Sequence, residues 1–250
     1  MITKLTSMIM AVLLAGTIVM GQEQEKAQVY RLTFHDVIKG KNADFEKAVK
    51  AKTEKFNKAS VDAINTWRVM SGPRTGQYAR VSGPKDWTYF ESGNDAGRQN
   101  WVDTVVPFIE KSSGVEYSVR QKDMSYNGSG KTTLPKYVDI WEFTLQAESN
   151  YEWTSFVRDL VRICNENKSK SRFNTYEMVS GTNMGKYLIV WGMDSLAEMD
   201  DNSENWPQWF NKMKGSSAAW GSELRRVSSA VEIYGQTRYM MQHMPDLSSK

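Results

Sequence analysis

The chain is poor in the side chains that carry metal and redox chemistry. Of its 250 residues one is cysteine, Cys164, and two are histidine, His35 and His243. One cysteine excludes an intrachain disulfide, and three Cys and His in all exclude a zinc centre of the usual kind. Cys164 recurs with Leu160, Val161 and Ile163 in a helical pattern, so it reads as a small buried hydrophobe, not a nucleophile, which would need a nearby base. An excess of one charge is also lacking. Lys and Arg number 32 against 29 Asp and Glu, a net charge of +3. That balance gives no electrostatic footprint for nucleic acid, and no nucleic-acid partner is read. Gly130-Lys131-Thr132 invites a phosphate-loop reading. The motif needs a glycine where Ser125 stands and a helix after Thr132, where Pro135 soon intervenes, so it is rejected. No metal set and no cofactor motif remain.

A long apolar run is absent after the first twenty residues. Before that, Lys4 is the only charge preceding Glu23, and Met8 to Met20 is apolar with small residues. The run is short for a membrane span and no stop-transfer pattern follows, so residues 1–21 read as a secretory signal and the mature chain as secreted or periplasmic, with no stable span after cleavage. An uncleaved N-terminal anchor is the alternative.

What the sequence does contain is a repeat. Ile64 to Gly83 returns as Phe173 to Gly192 at a constant spacing of 109, with eight of 20 paired positions identical, among them Ser71/Ser180, Gly72/Gly181, Gly76/Gly185 and Tyr78/Tyr187. Each copy runs from an aromatic and β-branched stretch through Ser-Gly and a second Gly into another such stretch, the pattern of a β-hairpin. A glycine kept in both copies of a turn predicts a backbone with φ > 0.

The flanking segments extend the repeat. After a tail at 22–28, Val29 to Val37 alternates as a strand, and Asp44 to Lys58 places Phe45, Ala48, Val49 and Phe56 at helical spacing. A second helix is expected from Ala96 to Lys111, kinked or divided at Pro107, and a strand from Val115 to Val119. Residues 121–136 have almost no apolar side chains and read as a linker. The second copy offers a strand from Tyr137, a helix over Trp153 to Asn165, the repeated hairpin, and a helix capped by Asn202 and Ser203 that Gly215 to Ser217 interrupts. Ser228 to Glu232 then echoes Ser112 to Glu116, and 239–250 reads as a polar tail.

Each copy is thus β-α-β-β-α-β, over residues 29–120 and 137–238, the order of a ferredoxin-like unit. On this element order and the internal repeat, the chain resembles the dimeric α+β barrel superfamily, with the pseudo-dimer made inside one chain. The resemblance implies an α+β fold of two tandem ferredoxin-like units packed sheet to sheet, with helices outside. Relatives include cofactor-independent monooxygenases, haem enzymes and stress-response proteins. Duplicated haem enzymes use an axial His in the second unit, where this chain has only His243 near its end.

Strand alternation then assigns faces. Arg31, Thr33 and His35 are expected between the sheets, with Tyr78 and Arg80 from the first hairpin, Tyr187 from the second, and Glu116, Glu142, Glu232 and Tyr234 from the remaining strands. Tyr30, Leu32 and Phe34 are expected to face helices. The inner set Arg31, His35, Tyr78, Arg80, Glu142, Tyr187 and Glu232 is the candidate ligand site, and His35 the one candidate base. At corresponding positions the first copy has Arg31 and Arg80 where the second has Ile140 and Ile189, a division suited to a ligand with an anionic or carbonyl end and an apolar body. Trp206 and Trp209 are candidates for a pocket mouth. Three functions fit: an exported small-molecule binding protein, a cofactor-independent monooxygenase or isomerase with His35 as base, and a non-enzymatic interaction module.

Overall fold

The computed structural model describes residues 26–92, 95–181, 185–201 and 203–250. The segment expected as a signal, 1–21, lies outside them, as does Asn202. Nine strands and six α-helices follow in chain order among the described residues: β1 Val29–Val37, α1 Asn42–Phe56, β2 Ile64–Val69, β3 Tyr78–Lys85, α2 Trp87–Ser92, α3 Asp95–Thr104, β4 Ile109–Ser112, β5 Glu116–Asn127, β6 Tyr137–Leu145, α4 Asn150–Glu166, β7 Arg172–Ser180, β8 Lys186–Met193, α5 Trp206–Lys214, α6 Ala219–Ala230 and β9 Val231–His243.

Local chemistry explains most of the boundaries. In α4, Trp153, Phe156, Val157, Leu160, Ile163 and Cys164 fall three and four apart and form one buried stripe. α5 starts where the Asn205 side chain accepts from the Gln208 N–H, and it ends at Gly215 in the left-handed region. The cap is therefore Asn205, later than expected. α3 stops at Thr104, and Pro107 sits in a separate 3₁₀ turn, Val106–Phe108, as its lack of an N–H requires. In the two hairpin loops Gly72, Gly76, Gly181 and Gly185 all have positive φ, as the repeat predicts. At Gly72 a Cβ would also meet the Arg238 carbonyl oxygen at 2.6 Å.

In the first half the strands lie side by side as β5-β1-β3-β2, and in the second as β7-β8-β6-β9. The halves are not two separate sheets facing each other. β2 pairs with β9 and β5 pairs with β7, so eight strands close into one barrel, with β4 continuing the β1 edge beyond β5. Closure leaves no free edge between the halves. It also explains two segments that the sequence left outside the fold. Residues 121–127, read as linker, continue β5 so that Tyr126 and Asn127 pair with Phe173 and Arg172. The stretch from Tyr239, read as a tail, continues β9 to pair with β2 and β6. Leu247 beyond it is buried.

The barrel interior at one end is apolar: Phe34, Trp67, Val69, Ala79, Val138, Ile140, Tyr239 and Met241 pack together with Leu32 and Val81. Two further cores lie outside it, under the helices. One joins Phe45 and Val49 of α1 to Tyr78, the other joins α4, Phe210 and Val227 to Phe173, Tyr187 and Ile189.

These cores correct the expected faces in the first half. Tyr78 stacks on Phe45 of α1 and Arg80 on Trp101 of α3, so they and their cross-strand partners His35 and Thr33 face helices. Leu32 and Phe34 point into the barrel. In the second half Tyr187, stacked on Trp153 of α4, is reversed likewise, while Glu142 faces inward as expected. The pairing shows why. His35 lies opposite Tyr78 and Phe143 opposite Tyr187, so the first strands correspond at a spacing of 108 while the hairpins correspond at 109. With a side-chain period of two, that one-residue slip exchanges faces.

Candidate functional site

The face correction relocates the candidate residues. Arg31, His35 and Arg80 come together, but in a cleft of about 540 Å³ between the first half of the barrel and its helices α1 to α3. Tyr78 lies in the adjacent core. Its hydroxyl donates to Glu46 and accepts from Arg68, and burial pushes it well above the usual tyrosine range. Tyr187 is in the second half, donating to Asn150 Oδ1 at 2.7 Å. Glu142 is inside the barrel, where its carboxylate accepts from the Tyr239 hydroxyl at 2.8 Å and pairs with Lys186 at 2.8 Å. Glu232 is exposed at the start of β9, and Tyr234 is exposed beside it. The expected cluster of Arg31, His35 and Arg80 with Glu142 or Glu232 is therefore not formed: the barrel wall separates the basic group from Glu142, and Glu232 lies at the rim of the second half.

Within the first cleft, Arg80 is 7% exposed. Its Nη1 donates to Thr66 Oγ1 at 2.9 Å, Thr53 Oγ1 at 3.3 Å and the Leu247 carbonyl at 3.3 Å. All three acceptors are neutral. Nη2 is buried with no partner among the described residues, as is Ser82 Oγ one strand position pair away. Burial and the neighbouring Arg31 push the guanidinium down to about 9. Lys52, 8% exposed, donates to Asn57 Oδ1 at 2.6 Å, and burial with Arg80 and Arg31 nearby pushes it down to about 8. Arg31 lies 5.8 Å from the Phe90 ring centroid. Asp62 is the one carboxylate among the described lining residues, and it accepts from the Tyr89 hydroxyl at 2.9 Å. Buried charges are costly when unpaired, and this cleft holds Arg80 and Lys52 with no carboxylate bonded to either among the described residues.

His35 sits at the wall of the same cleft. Its Nδ1 and Ser112 Oγ are hydrogen-bonded at 2.8 Å, and its ring is tilted on Trp101 with centroids 5.3 Å apart. Burial, with the Arg80 charge beside it, pushes the imidazole down to about 4. The same causes favour the neutral ring near pH 7 and make it a weaker base than an ordinary imidazole. Lys52, Asn57 and Trp101 escaped the sequence reading because they lie on helices and loops whose inward faces only packing reveals. Lys52, a charged residue in register with the apolar positions Phe45 and Val49 of α1, was the one available signal.

The second half carries its own cleft, about 910 Å³, between the strands β6 and β8 and helices α4 to α6. Trp206 lines it as expected, whereas Trp209 packs on the second core. Its described lining residues include no His, Cys or Met, and five of them are carboxylates, Asp139, Glu198, Asp201, Glu204 and Glu232. Tyr234 is the one described lining residue of a type that ligates haem iron, and it is 98% exposed, so the cleft offers no buried axial donor and its carboxylates would oppose the two propionates of a haem. Cys164 is buried in the nearby core and burial pushes its thiol up to about 12, which leaves it inert.

Solved structures share this architecture. A candidate monooxygenase of Fusobacterium nucleatum superposes with a TM-score of 0.58 at 10% identity, covering 88% of this chain and 93% of its own. An anthrone oxidase-like protein gives 0.54 at 11% identity over 88% and 92%. Chlorite dismutase from Candidatus Nitrospira defluvii, in complex with imidazole, gives 0.52 at 10% identity over 88% and 94%. No family model matches the sequence, and no curated protein matches it. The chain has the α+β fold of the dimeric α+β barrel proteins, with the barrel closed within one polypeptide.

Proposed function

We propose that this chain binds a small organic anion, a carboxylate or enolate on an apolar body, in the first-half cleft. The observation that carries this reading is Arg80: a buried guanidinium held by neutral acceptors, with an unpartnered nitrogen and no carboxylate bonded to it. Lys52 and Arg31 add charge of the same sign, and Trp101 and Phe90 supply apolar walls. Both halves share a strand, a helix, a hairpin, a helical segment and a long last strand, with β4 added in the first, and this supports descent from a duplicated ferredoxin-like unit. The apolar run Met8 to Met20 supports export with cleavage of residues 1–21, and an exported protein retaining Met1 by intact mass would argue against that cleavage.

The test is calorimetric titration with benzoate and with benzamide, which differ in charge at similar shape. Benzoate should bind, benzamide at least roughly tenfold more weakly, and Arg80→Leu should abolish the difference. Equal affinity for the two, or an undiminished preference in Arg80→Leu, would refute the site.

A second reading, favoured by His35, makes the chain an enzyme. With Nδ1–H donating to Ser112 Oγ, the Nε2 lone pair of the neutral ring takes a proton from an acidic C–H or O–H of the bound molecule. Arg80 and Lys52 then stabilise the resulting enolate or phenolate. The fold neighbours described as monooxygenases are compatible with such chemistry. Exchange of substrate deuterium into water, lost in His35→Gln with binding retained, would establish it, and retained exchange would exclude His35.

A further inference from the structure

The second cleft has the opposite electrostatic character from the first, and we infer that it binds a second ligand, an organic cation such as a quaternary or alkyl ammonium with an apolar body. Its walls are indoles. Trp141, Trp153, Trp191, Trp206 and Trp220 line it, with ring centroids 6.4 Å apart for Trp141 and Trp191 and 5.5 Å for Trp191 and Trp206. Its volume suits a ligand of drug-like size.

Charge at its margin names the occupant. Glu198, Asp201, Glu204 and Glu232 line it, and Lys170 is the one cation among its described lining residues. None of the four carboxylates has a cationic side chain bonded to it among the described residues. Glu198 accepts from the backbone N–H of Asp194 and Ser195, and Asp201 from that of Ser203. Glu204 accepts from the hydroxyls of Ser169 and Ser171, the Lys170 backbone N–H and the Trp206 indole. Burial works to raise the Glu204 carboxyl, but these donors hold it below the usual range. Neutral donors satisfy lone pairs and leave the charge in place, so the margin stays anionic beside the faces of electron-rich rings. Asp139 is the exception, and an instructive one. Its partner Arg238 lies with Cζ 4.9 Å from the Trp141 ring centroid, so this aromatic wall already takes one cation from the chain itself.

The test uses the full chain and two probes of one shape, benzyltrimethylammonium and its uncharged isostere neopentylbenzene, with indole fluorescence and calorimetry as readouts. The cation should bind and the isostere bind at least roughly tenfold more weakly. Trp206→Leu should lose most of that preference, and Glu232→Gln, at an exposed position with no packing role, should weaken the cation alone by a few fold. Melting temperature checks that Trp206→Leu is folded. If it is not, Leu224→Trp, which narrows the mouth from a surface position, serves as the blocking variant. Equal or tighter binding of neopentylbenzene would make the cleft a neutral apolar site and overturn the inference. So would tighter binding of benzoate, failure of both probes to bind, or cation binding unchanged in Trp206→Leu or Leu224→Trp. Arg80→Leu, which tests the first cleft, should leave benzyltrimethylammonium binding unchanged.

Discussion

The guanidinium of Arg80 on β3 donates to the backbone carbonyl of Leu247, 167 residues further along the chain. The same carbonyl accepts from the hydroxyls of Thr53 and Thr66, while Ser248 and Ser249 hydroxyls accept from the backbone N–H of Thr66 and Ile64. The last residues of the second half thus form part of the wall that orients the first cleft's central cation.

Deleting residues 245–250 should therefore act on both stability and binding. It exposes the apolar surface that Leu247 covers, worth about 2 kcal/mol, and removes the shared acceptor of three buried donors. Chemical denaturation should show a loss of about 3 kcal/mol or more, and benzoate affinity should fall with it. Unchanged stability would show that the segment is not an integral wall.

Replacing Arg80 should separate stability from affinity. Arg80→Leu leaves no buried carboxylate unpaired, and Leu247 keeps its two threonine donors. The unfolding free energy should stay within about 1.5 kcal/mol of the parent, while anion affinity falls by about 2 kcal/mol or more. A loss of several kcal/mol in the apo protein would assign Arg80 a structural role.

The cleft should respond to alkaline pH. Lys52 is pushed from its ordinary value of 10.5 down to about 8, first by burial and then by Arg80 and Arg31, with Asp62 opposing. A basic group with a depressed folded value costs stability while charged, fully below pH 8, and the cost fades as pH rises to its unfolded value. An anion favours the charged amine, so binding should take up a proton near and above pH 8, and affinity should decline over the same range. In Lys52→Met the decline should begin later, toward the value of about 9 at Arg80. Titration in buffers of different ionisation enthalpy measures this, and a flat profile from pH 7 to 10 would remove Lys52 from the site.

Inside the barrel, Glu142 is 6% exposed and bonded to both Lys186 and Tyr239. Lys186→Met should strand the carboxylate and cost about 3 to 5 kcal/mol, whereas Lys186→Met with Glu142→Gln should recover much of that. If the double variant is no more stable than the single one, the pair is not coupled.

The repeat at 109 residues by itself determined much of the local structure. Hydrophobic period and turn glycines set both hairpins, the main helices and the four positive-φ positions, because these depend on neighbours within a few residues. The same local rules read Cys164 as buried. The faces of the first strands were decided only in three dimensions. Both sides of a barrel strand are covered, so polarity at Arg31, His35 and Arg80 says that they are special without saying which side they occupy. The slip from 109 to 108 between β1 and β6 is invisible until cross-strand partners are known. Closure is likewise non-local. A polar stretch such as 121–127 carries no strand pattern of its own and becomes a strand because β7 offers it an edge of unpaired backbone groups. Sequence supplied the cations and the indoles; the packing of helices on the barrel divided them into a basic cleft in one half and an aromatic, acidic one in the other.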